Sequence, residues 1–282
     1  MTEQHESLVR VRDLTVSFGT NDVVKHLDFE IPSGGALGIV GESGSGKSMT
    51  SLAIMGLLPK GAKLSGSVEF KGKELTSLSD SQMRAVRGDK IAMIFQDPLS
   101  SLNPYYTVGT QIAEAYMSHR RGVTKKAARK VAIEAMERVH IAKAAERVDH
   151  YPHQFSGGMR QRVMIAMALS MEPELIIADE PTTALDVTVQ AQILDLLSEI
   201  RQDTGAGLIL ITHDLAVVSE VADEIVVMRN GDLVERGSVE QIFTDPQEEY
   251  TNLLLDAVPR IDDEIGALRT TTVPVQIARG DR

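Results

Sequence analysis

Apolar and polar residues alternate from Leu8 to Phe18 and again from Leu27 to Ile31. That is the period of strands with one covered face, so two antiparallel strands joined by the turn Gly19-Thr20-Asn21-Asp22 are predicted. Four further stretches are apolar without alternation, as strands buried on both faces are: Ala36 to Val40, Ile91 to Phe95, Leu175 to Ala178 and Leu208 to Ile211. Between them the period becomes helical, over Met49 to Met55, over Val108 to about Ala145, over Val163 to Ser170, and through Val189, Ile193, Leu196, Leu197 and Ile200. Ser65 to Lys73 reads as a short hairpin, and Ile225 to Met228 with Gly231 to Glu235 as a second that closes the sheet. Strands alternating with helices give an α/β protein. The basic residues among the periodic apolar positions of 108–145 mark a mostly helical insertion between two parts of the sheet. Periodicity is lost beyond Pro259, and a mobile tail is expected from about Arg269.

Gly41-Glu42-Ser43-Gly44-Ser45-Gly46-Lys47-Ser48 lies where the first fully apolar strand passes into a helix beginning near Met49. This is the context of a phosphate loop. Glycines let successive backbone N–H groups converge on one concavity, and the free N–H groups of the helix start add partial positive charge directed at an anion. Lys47 can reach the terminal phosphates and Ser48 can offer its hydroxyl to Mg²⁺. Phe18 ends its strand ahead of this loop, either as a core residue or as a ring face for a base.

Three buried strands end in polar residues, at the edge where open α/β sheets bind ligands. Gln96 follows the strand at 91–95, as a metal ligand, a group that orients water or a loop hydrogen-bonder. Asp179 and Glu180 end the next strand, where unpaired carboxylates are costly to hold. Mg²⁺ beside Ser48 resolves the cost for Asp179. Glu180, expected on the opposite side of the strand, is placed to polarise a water. His213 repeats the position after a third strand. Ser156-Gly157-Gly158 ahead of the helix at 163 also offers a hydroxyl and free N–H groups, as an anion site or a plain helix cap.

Composition narrows the class. The chain has 282 residues, 43% hydrophobic, with no cysteine, which excludes disulfides, thiolate catalysis and cysteine-held iron–sulfur or zinc centres. No apolar run approaches the eighteen residues of a bilayer span, and Met1 to Glu6 lacks the basic and apolar regions of a signal peptide, so a cytosolic chain is expected unless a partner holds it elsewhere. The net charge is −11, with a net of −7 between Val239 and Gly266, and a surface of that sign disfavours nucleic acid as a ligand.

The order of phosphate loop, Gln-tipped strand, helical insertion, Ser-Gly-Gly helix, Asp-Glu strand and His-tipped strand resembles the ATP-binding subunit of ABC transporters. The resemblance covers about residues 8–260. It implies an ABC-type nucleotide-binding domain: a P-loop, RecA-like mixed sheet with an antiparallel β subdomain, a helical subdomain at about 100–170, and residues 261–282 as a C-terminal extension. It also implies an ATPase working as a head-to-tail dimer. Carried onto this sequence, Phe18 is similar to the adenine-stacking aromatic, with phenylalanine in place of the usual tyrosine. Gly41, Glu42, Ser43, Gly44, Ser45, Gly46, Lys47, Ser48 and the adjoining Met49 match the nucleotide-binding Walker A region. Gln96 matches the Q-loop glutamine, a third Mg²⁺ contact with Ser48 and Asp179. Ser156, Gly157 and Gly158 match the signature that reaches ATP on the partner, with Met159 where glutamine is usual. Asp179 and Glu180 match the Walker B aspartate and catalytic glutamate, Asp186 the D-loop, and His213 the switch histidine. Lys47, Gln96, Glu180 and His213 are the expected catalytic set, and ATP and Mg²⁺ the expected cofactors.

Longer words, Ile94 to Pro104, His153 to Ala166 and Pro181 to Gln190, resemble the dipeptide/oligopeptide/nickel importer branch, and Ile54-Met55-Gly56-Leu57-Leu58-Pro59 is similar to its D-type subunit. The implied partners are two membrane-spanning permease subunits, a second F-type ATPase and an external substrate-binding protein, with the chain peripheral on the cytoplasmic face of the membrane. Peptides are the expected cargo, with nickel chelates or other small solutes the alternative. The cysteines that hold an iron–sulfur cluster in many members are absent. A rival class, a soluble ABC ATPase that remodels a protein assembly, shares the motifs but not the longer words.

Overall fold

The computed structural model describes residues 7–183 and 185–257, so the tail expected beyond Arg269 lies outside the described residues. The chain opens with β1 (Ser7–Phe18), β2 (Asn21–Pro32) and β3 (Ala36–Val40), then α1 (Lys47–Ile54), β4 (Ala62–Phe70), β5 (Lys73–Glu74), α2 (Asp80–Arg84) and β6 (Ile91–Ile94). Helices follow: α3 (Pro98–Ser101), α4 (Val108–His119), α5 (Lys125–Arg138), α6 (Ala144–Arg147), a 3-10 turn at Pro152–Gln154, and α7 (Gly157–Leu169). The sheet resumes with β7 (Leu175–Asp179), α8 (Val187–Thr204), β8 (Gly207–Thr212), α9 (Leu215–Ser219), β9 (Glu224–Arg229) and β10 (Asp232–Ser238), and α10 (Val239–Thr244) and α11 (Glu249–Asp256) complete it.

The ten described strands form one sheet in the order β5-β4-β1-β2-β10-β9-β3-β8-β7-β6. From β9 to β6 neighbours run parallel; β1, β2, β4 and β5 pair antiparallel. A single parallel bridge, Asp232 to Lys25, joins the two parts through β10 and β2. Successive side chains of the parallel strands enter different cores, as the two-residue period requires. Leu37, Ile39, Leu175, Ile177, Ile209, Ile211, Val226 and Met228 pack with α1 and the antiparallel strands. Ala36, Val40, Ile176, Ala178, Leu208, Leu210, Ile225 and Val227 pack with α7, α8 and the other inserted helices. Strands covered on both faces have no polar face to show, which is why these runs lack alternation.

The boundaries differ from the sequence expectation in ways that local chemistry explains. The first turn is two residues, Gly19–Thr20, with Gly19 at φ 62, because Asn21 already pairs with Phe18. β4 begins three residues before the hairpin expected at 65–73 and pairs mainly with β1. The helical stretch at 108–145 divides after His119, and Thr124 caps α5 by accepting from the Ala127 N–H. α7 begins six residues earlier than expected, at Gly157, so both glycines lie in its first turn. Pro98–Ser101 forms a short helix where a loop was expected.

Two glycines hold the layers close. A Cβ on Gly38 would lie 2.0 Å from Val218 Cγ1, so β3 meets α9 at a distance only glycine permits. Gly158 stands likewise against Val189 of α8, where a Cβ would fall 2.4 Å from Cγ1. Val218 is stiff at χ1 and fully buried. Gly38→Ala is therefore expected to destabilise the chain by about 1–3 kcal/mol in urea unfolding; unchanged stability would show that α9 is free to move off the sheet.

Candidate nucleotide site

The site is assembled where β3, β6, β7 and β8 end together. β3 passes into a loop in which Gly41, Gly44 and Gly46 have φ of 151, 83 and 102. Each lies in the region that favours glycine. Gly41 and Gly46 are also crowded by backbone, since a Cβ would approach Met228 O to 2.1 Å and Val23 O to 2.5 Å. Lys47 and Ser48 open α1, with Gly46 as its N-cap and no side chain capping the first turn. The first-turn N–H groups therefore have no intrahelical acceptor.

A cleft of about 790 Å³ lies over this turn. Glu42, Ser43, Gly44, Gly46, Lys47, Ser48 and Met49 line it from the loop and α1, Phe18 and Val23 from the antiparallel strands, and Gln96, Glu180 and His213 from the strand tips. Gly41 and Ser45 do not line it; the Ser45 hydroxyl is buried without a hydrogen-bond partner and lies beside Gly41, leaving only its backbone as a ligand. Phe18 is half-buried against the antiparallel core and still lines the cleft. Val23 is a lining residue that sequence reading missed, since an alternating strand gives it no distinguishing mark.

Charge is concentrated at the cleft floor. Lys47 is 5% exposed, and its Nζ donates to Gly41 O at 2.7 Å and Glu42 O at 2.9 Å. Burial lowers its pKa from the ordinary lysine value, against the charges of Glu180 and Asp179. Asp179 is 8% exposed and accepts from Ser48 Oγ at 3.1 Å. Burial raises its pKa, opposed by the Ser48 hydroxyl and reinforced by the charge of Glu180.

Glu180 lies one residue past the end of β7. From the sequence the strand pleat is expected to aim it; instead its backbone turns into the left-handed region at φ 47 while its N–H still donates to Ile211 O at 2.8 Å. Such a conformation costs a non-glycine residue about 1–2 kcal/mol. It directs the carboxylate to the other two strand tips. Oε2 accepts from Gln96 Nε2 and from Thr183 Oγ1, both at 2.8 Å, and Oε1 lies 3.5 Å from His213 Nδ1. Gln96 is thus bonded to Glu180 rather than to Ser48 or Asp179. Thr183 is a second omission of the sequence reading, although its place three residues after a strand-end acid is the position from which a turn hydroxyl can reach back.

Ser156, Gly157, Gly158 and Asp186 do not line this cleft. Ser156 Oγ caps α7, accepting from Met159 N at 3.4 Å, and Asp186 Oδ1 caps α8, accepting from Val189 N at 3.0 Å. Met159 Sδ receives the Arg147 guanidinium at 3.7 Å.

The donor set fits a nucleotide phosphate chain: a glycine cradle, open helix N–H groups and a buried ammonium. It fits a hard cation as well. No group of three or more His, Cys, Asp or Glu among the described residues could enclose a metal. Mg²⁺, however, is commonly held by one or two carboxylates completed by substrate phosphates and water. A buried carboxylate beside a serine hydroxyl supplies that share.

Known proteins agree with this geometry. Residues 24–183 match the ABC transporter family. The chain is 52% identical over 263 residues to the dipeptide transport ATP-binding protein DppD of Bacillus subtilis, covering 91% of this chain and 78% of that one. It is 47% identical over 266 residues to the oligopeptide transport ATP-binding protein OppD of Escherichia coli, covering 93% and 79%. Among solved structures it is similar to a dimeric ATP-binding cassette in a post-hydrolysis state bound to ADP and Pi, with TM-score 0.73, 29% identity, and 82% and 98% of the two chains covered. The cbiO1 cassette of an ABC transporter complex from Clostridium perfringens gives TM-score 0.74 and 27% identity over 85% and 92%. The chain belongs to the ABC transporter family, in the branch of the dipeptide and oligopeptide transport ATP-binding proteins.

The pKa of Asp179 has a consequence for stability. With its folded value above 3.8, the folded chain holds more protons than the unfolded chain between 3.8 and that value, so stability falls as pH rises through this window. Above it the full cost of the buried charge is present. Asp179→Asn is therefore expected to raise the Tm of the nucleotide-free chain at pH 7, by an amount that shrinks as pH falls toward 3.8. A lower Tm at pH 7 would show that Asp179 is held by net attraction.

Proposed function

We propose that this chain is the ATP-hydrolysing motor subunit of a peptide importer, with residues 8–260 as the ATP-binding domain, about 100–170 as its helical subdomain and 261–282 as an extension. The observation that carries the reading is the cluster at the cleft lip, where Gln96, Thr183 and His213 surround the Glu180 carboxylate beside Lys47 and the Ser48–Asp179 pair. The loop N–H groups and Lys47 hold the phosphates, and Phe18 offers its ring face to the base. Ser48, Asp179 and Gln96 are the residues for Mg²⁺. When bound, the ion neutralises charge on the transferred phosphoryl group. Glu180 takes the proton of the attacking water, with His213 and Gln96 orienting the two; the products are ADP and phosphate.

Ser156, Gly157, Gly158 and Asp186 lie away from this cleft and serve the nucleotide of a partner cassette in a head-to-tail dimer. That partner is a second, F-type ATPase. Between β6 and the inserted helices an apolar groove is lined by Met93, Phe95, Leu102, Met164 and Met167. Nearby Tyr105 and Tyr106 are exposed, as is Tyr151 of the neighbouring turn. Exposed aromatics beside an adaptable, Met-lined groove suit a helix of a membrane-spanning subunit. No described helix is long and apolar enough to cross a membrane. In this reading the chain sits peripherally on the cytoplasmic face, bound to two permease subunits that receive solute from an external binding protein. Peptide cargo is the reading supported by likeness to the dipeptide and oligopeptide transport ATP-binding proteins.

Two experiments test this. Glu180→Gln should retain ATP binding and hydrolyse at least roughly a hundredfold more slowly; near-native turnover removes Glu180 from the base role. A tagged chain recovered from gently solubilised membranes should bring two multi-span proteins and a second ATPase. Recovery with a soluble scaffold and no membrane protein would overturn the importer reading.

A further inference from the structure

None of the phosphate-binding motifs includes the segment after β10, yet one face of α11 reaches the cleft. Tyr250 and Leu254, four residues apart on that helix, share a face. The N–H of Glu42 donates to the Tyr250 hydroxyl at 3.3 Å, and Leu254 lines the cleft with Phe18 and the loop. Tyr250 is 6% exposed, and the Arg229 guanidinium lies 4.6 Å from its ring centroid, which fixes the ring between β9 and the loop. The start of α11 is moored separately. The buried Glu235 carboxylate of β10 accepts from the N–H groups of Gln247 at 2.8 Å and Glu248 at 3.2 Å.

We infer that α11 is part of the nucleotide site, with Tyr250 a positioning residue for the phosphate loop and Leu254 a wall of the cleft. The inference rests on this cleft being the nucleotide seat. Its core is a single peptide plane. The Gly41 carbonyl and the Glu42 N–H belong to the same planar unit. Lys47 Nζ donates to the carbonyl at 2.7 Å, and Tyr250 accepts from the N–H. Tyr250 and Lys47 therefore hold opposite ends of one rigid group. The hydroxyl sets the orientation of the plane on which the lysine ammonium rests. Burial raises the Tyr250 pKa from the ordinary tyrosine value, opposed by the hydrogen bond from the Glu42 N–H. The loop is held a second time at Ser45, whose carbonyl accepts from the Gly231 N–H in the β9–β10 turn at 3.0 Å. The two struts fix successive turns of a glycine-rich loop.

The test uses the assembled transporter, measuring KM for ATP, kcat, and inhibition by ADP. Tyr250→Phe keeps the ring beneath Arg229 and removes only the hydroxyl. It should raise the KM for ATP and the inhibition constant for ADP together, about three- to tenfold, with kcat changed by less than about twofold. A merely structural tyrosine would lower the active fraction, and so kcat, without moving KM. Unchanged KM and inhibition constant, or a loss confined to kcat, would overturn the positioning role. Leu254→Ala, at a half-buried position, carries the test if Tyr250→Phe does not fold: a weaker ADP inhibition is expected, and an unchanged one overturns the wall. Lys47→Ala separates this inference from the one beneath it. Native nucleotide affinity in that variant would remove the loop as the seat, whereas lost affinity there with no effect of Tyr250→Phe or Leu254→Ala would remove α11 alone.

Discussion

The structure depends on keeping an ammonium and a carboxylate out of water at the end of a sheet. Lys47 and Asp179 are both nearly buried, and burial shifts each toward its neutral form. Neither is comfortable alone, and their attraction together with the Ser48 hydroxyl offsets only part of the cost. The remainder is tolerable because the surrounding strands are bulk apolar ballast. β3, β7 and β8 are covered on both faces, so the sheet is rigid where the charges sit. In the proposed nucleotide site, an anion and a cation would complete charges that the fold has already desolvated.

Strain is confined to the same edge. Glu180 leaves the strand in a left-handed conformation, and the three glycines of the loop adopt angles that side chains resist. Each deviation is held by something stiffer. Ile211 O fixes the Glu180 N–H, Gln96 and Thr183 fix its carboxylate, and the β9–β10 turn and α11 fix the loop. The glycine contacts farther away have the same logic. Gly38 lets α9 approach β3, and Gly158 lets α7 approach α8, without a gap.

Much of the site was legible because its chemistry is punctual. Gln96, Asp179 and His213 each end an apolar run, and a polar residue at such a position is conspicuous in a sequence. Thr183, Val23, Tyr250 and Leu254 carry no such mark. Thr183 looks like any residue of a polar turn, and Val23 like any member of an alternating strand. Tyr250 and Leu254 lie more than two hundred residues from the loop, in a segment whose acidity reads as a solvated surface. The Tyr250 contact with Glu42 and the place of Leu254 in the cleft follow only from the hairpin of β9 and β10 and from Glu235, which turns the chain back over the loop.

Periodicity by itself determined the class of the long strands and helices, since burial on one face or two imposes a two-residue period or none, and helices impose their own; the short helices α2, α3, α9, α10 and α11 carried no such mark. It also determined the chemistry available: a glycine cradle, one lysine, a strand-end pair of acids, and no thiol. Tertiary structure decided where elements begin and which partners each polar group finds. α7 starts at Gly157 because the Ser156 hydroxyl caps the helix there and Gly158 admits α8. Glu180 faces Gln96 and His213 because its backbone turns over, which no pleat predicts. Those outcomes depend on contacts between residues remote in the chain, and a linear pattern contains no term for them.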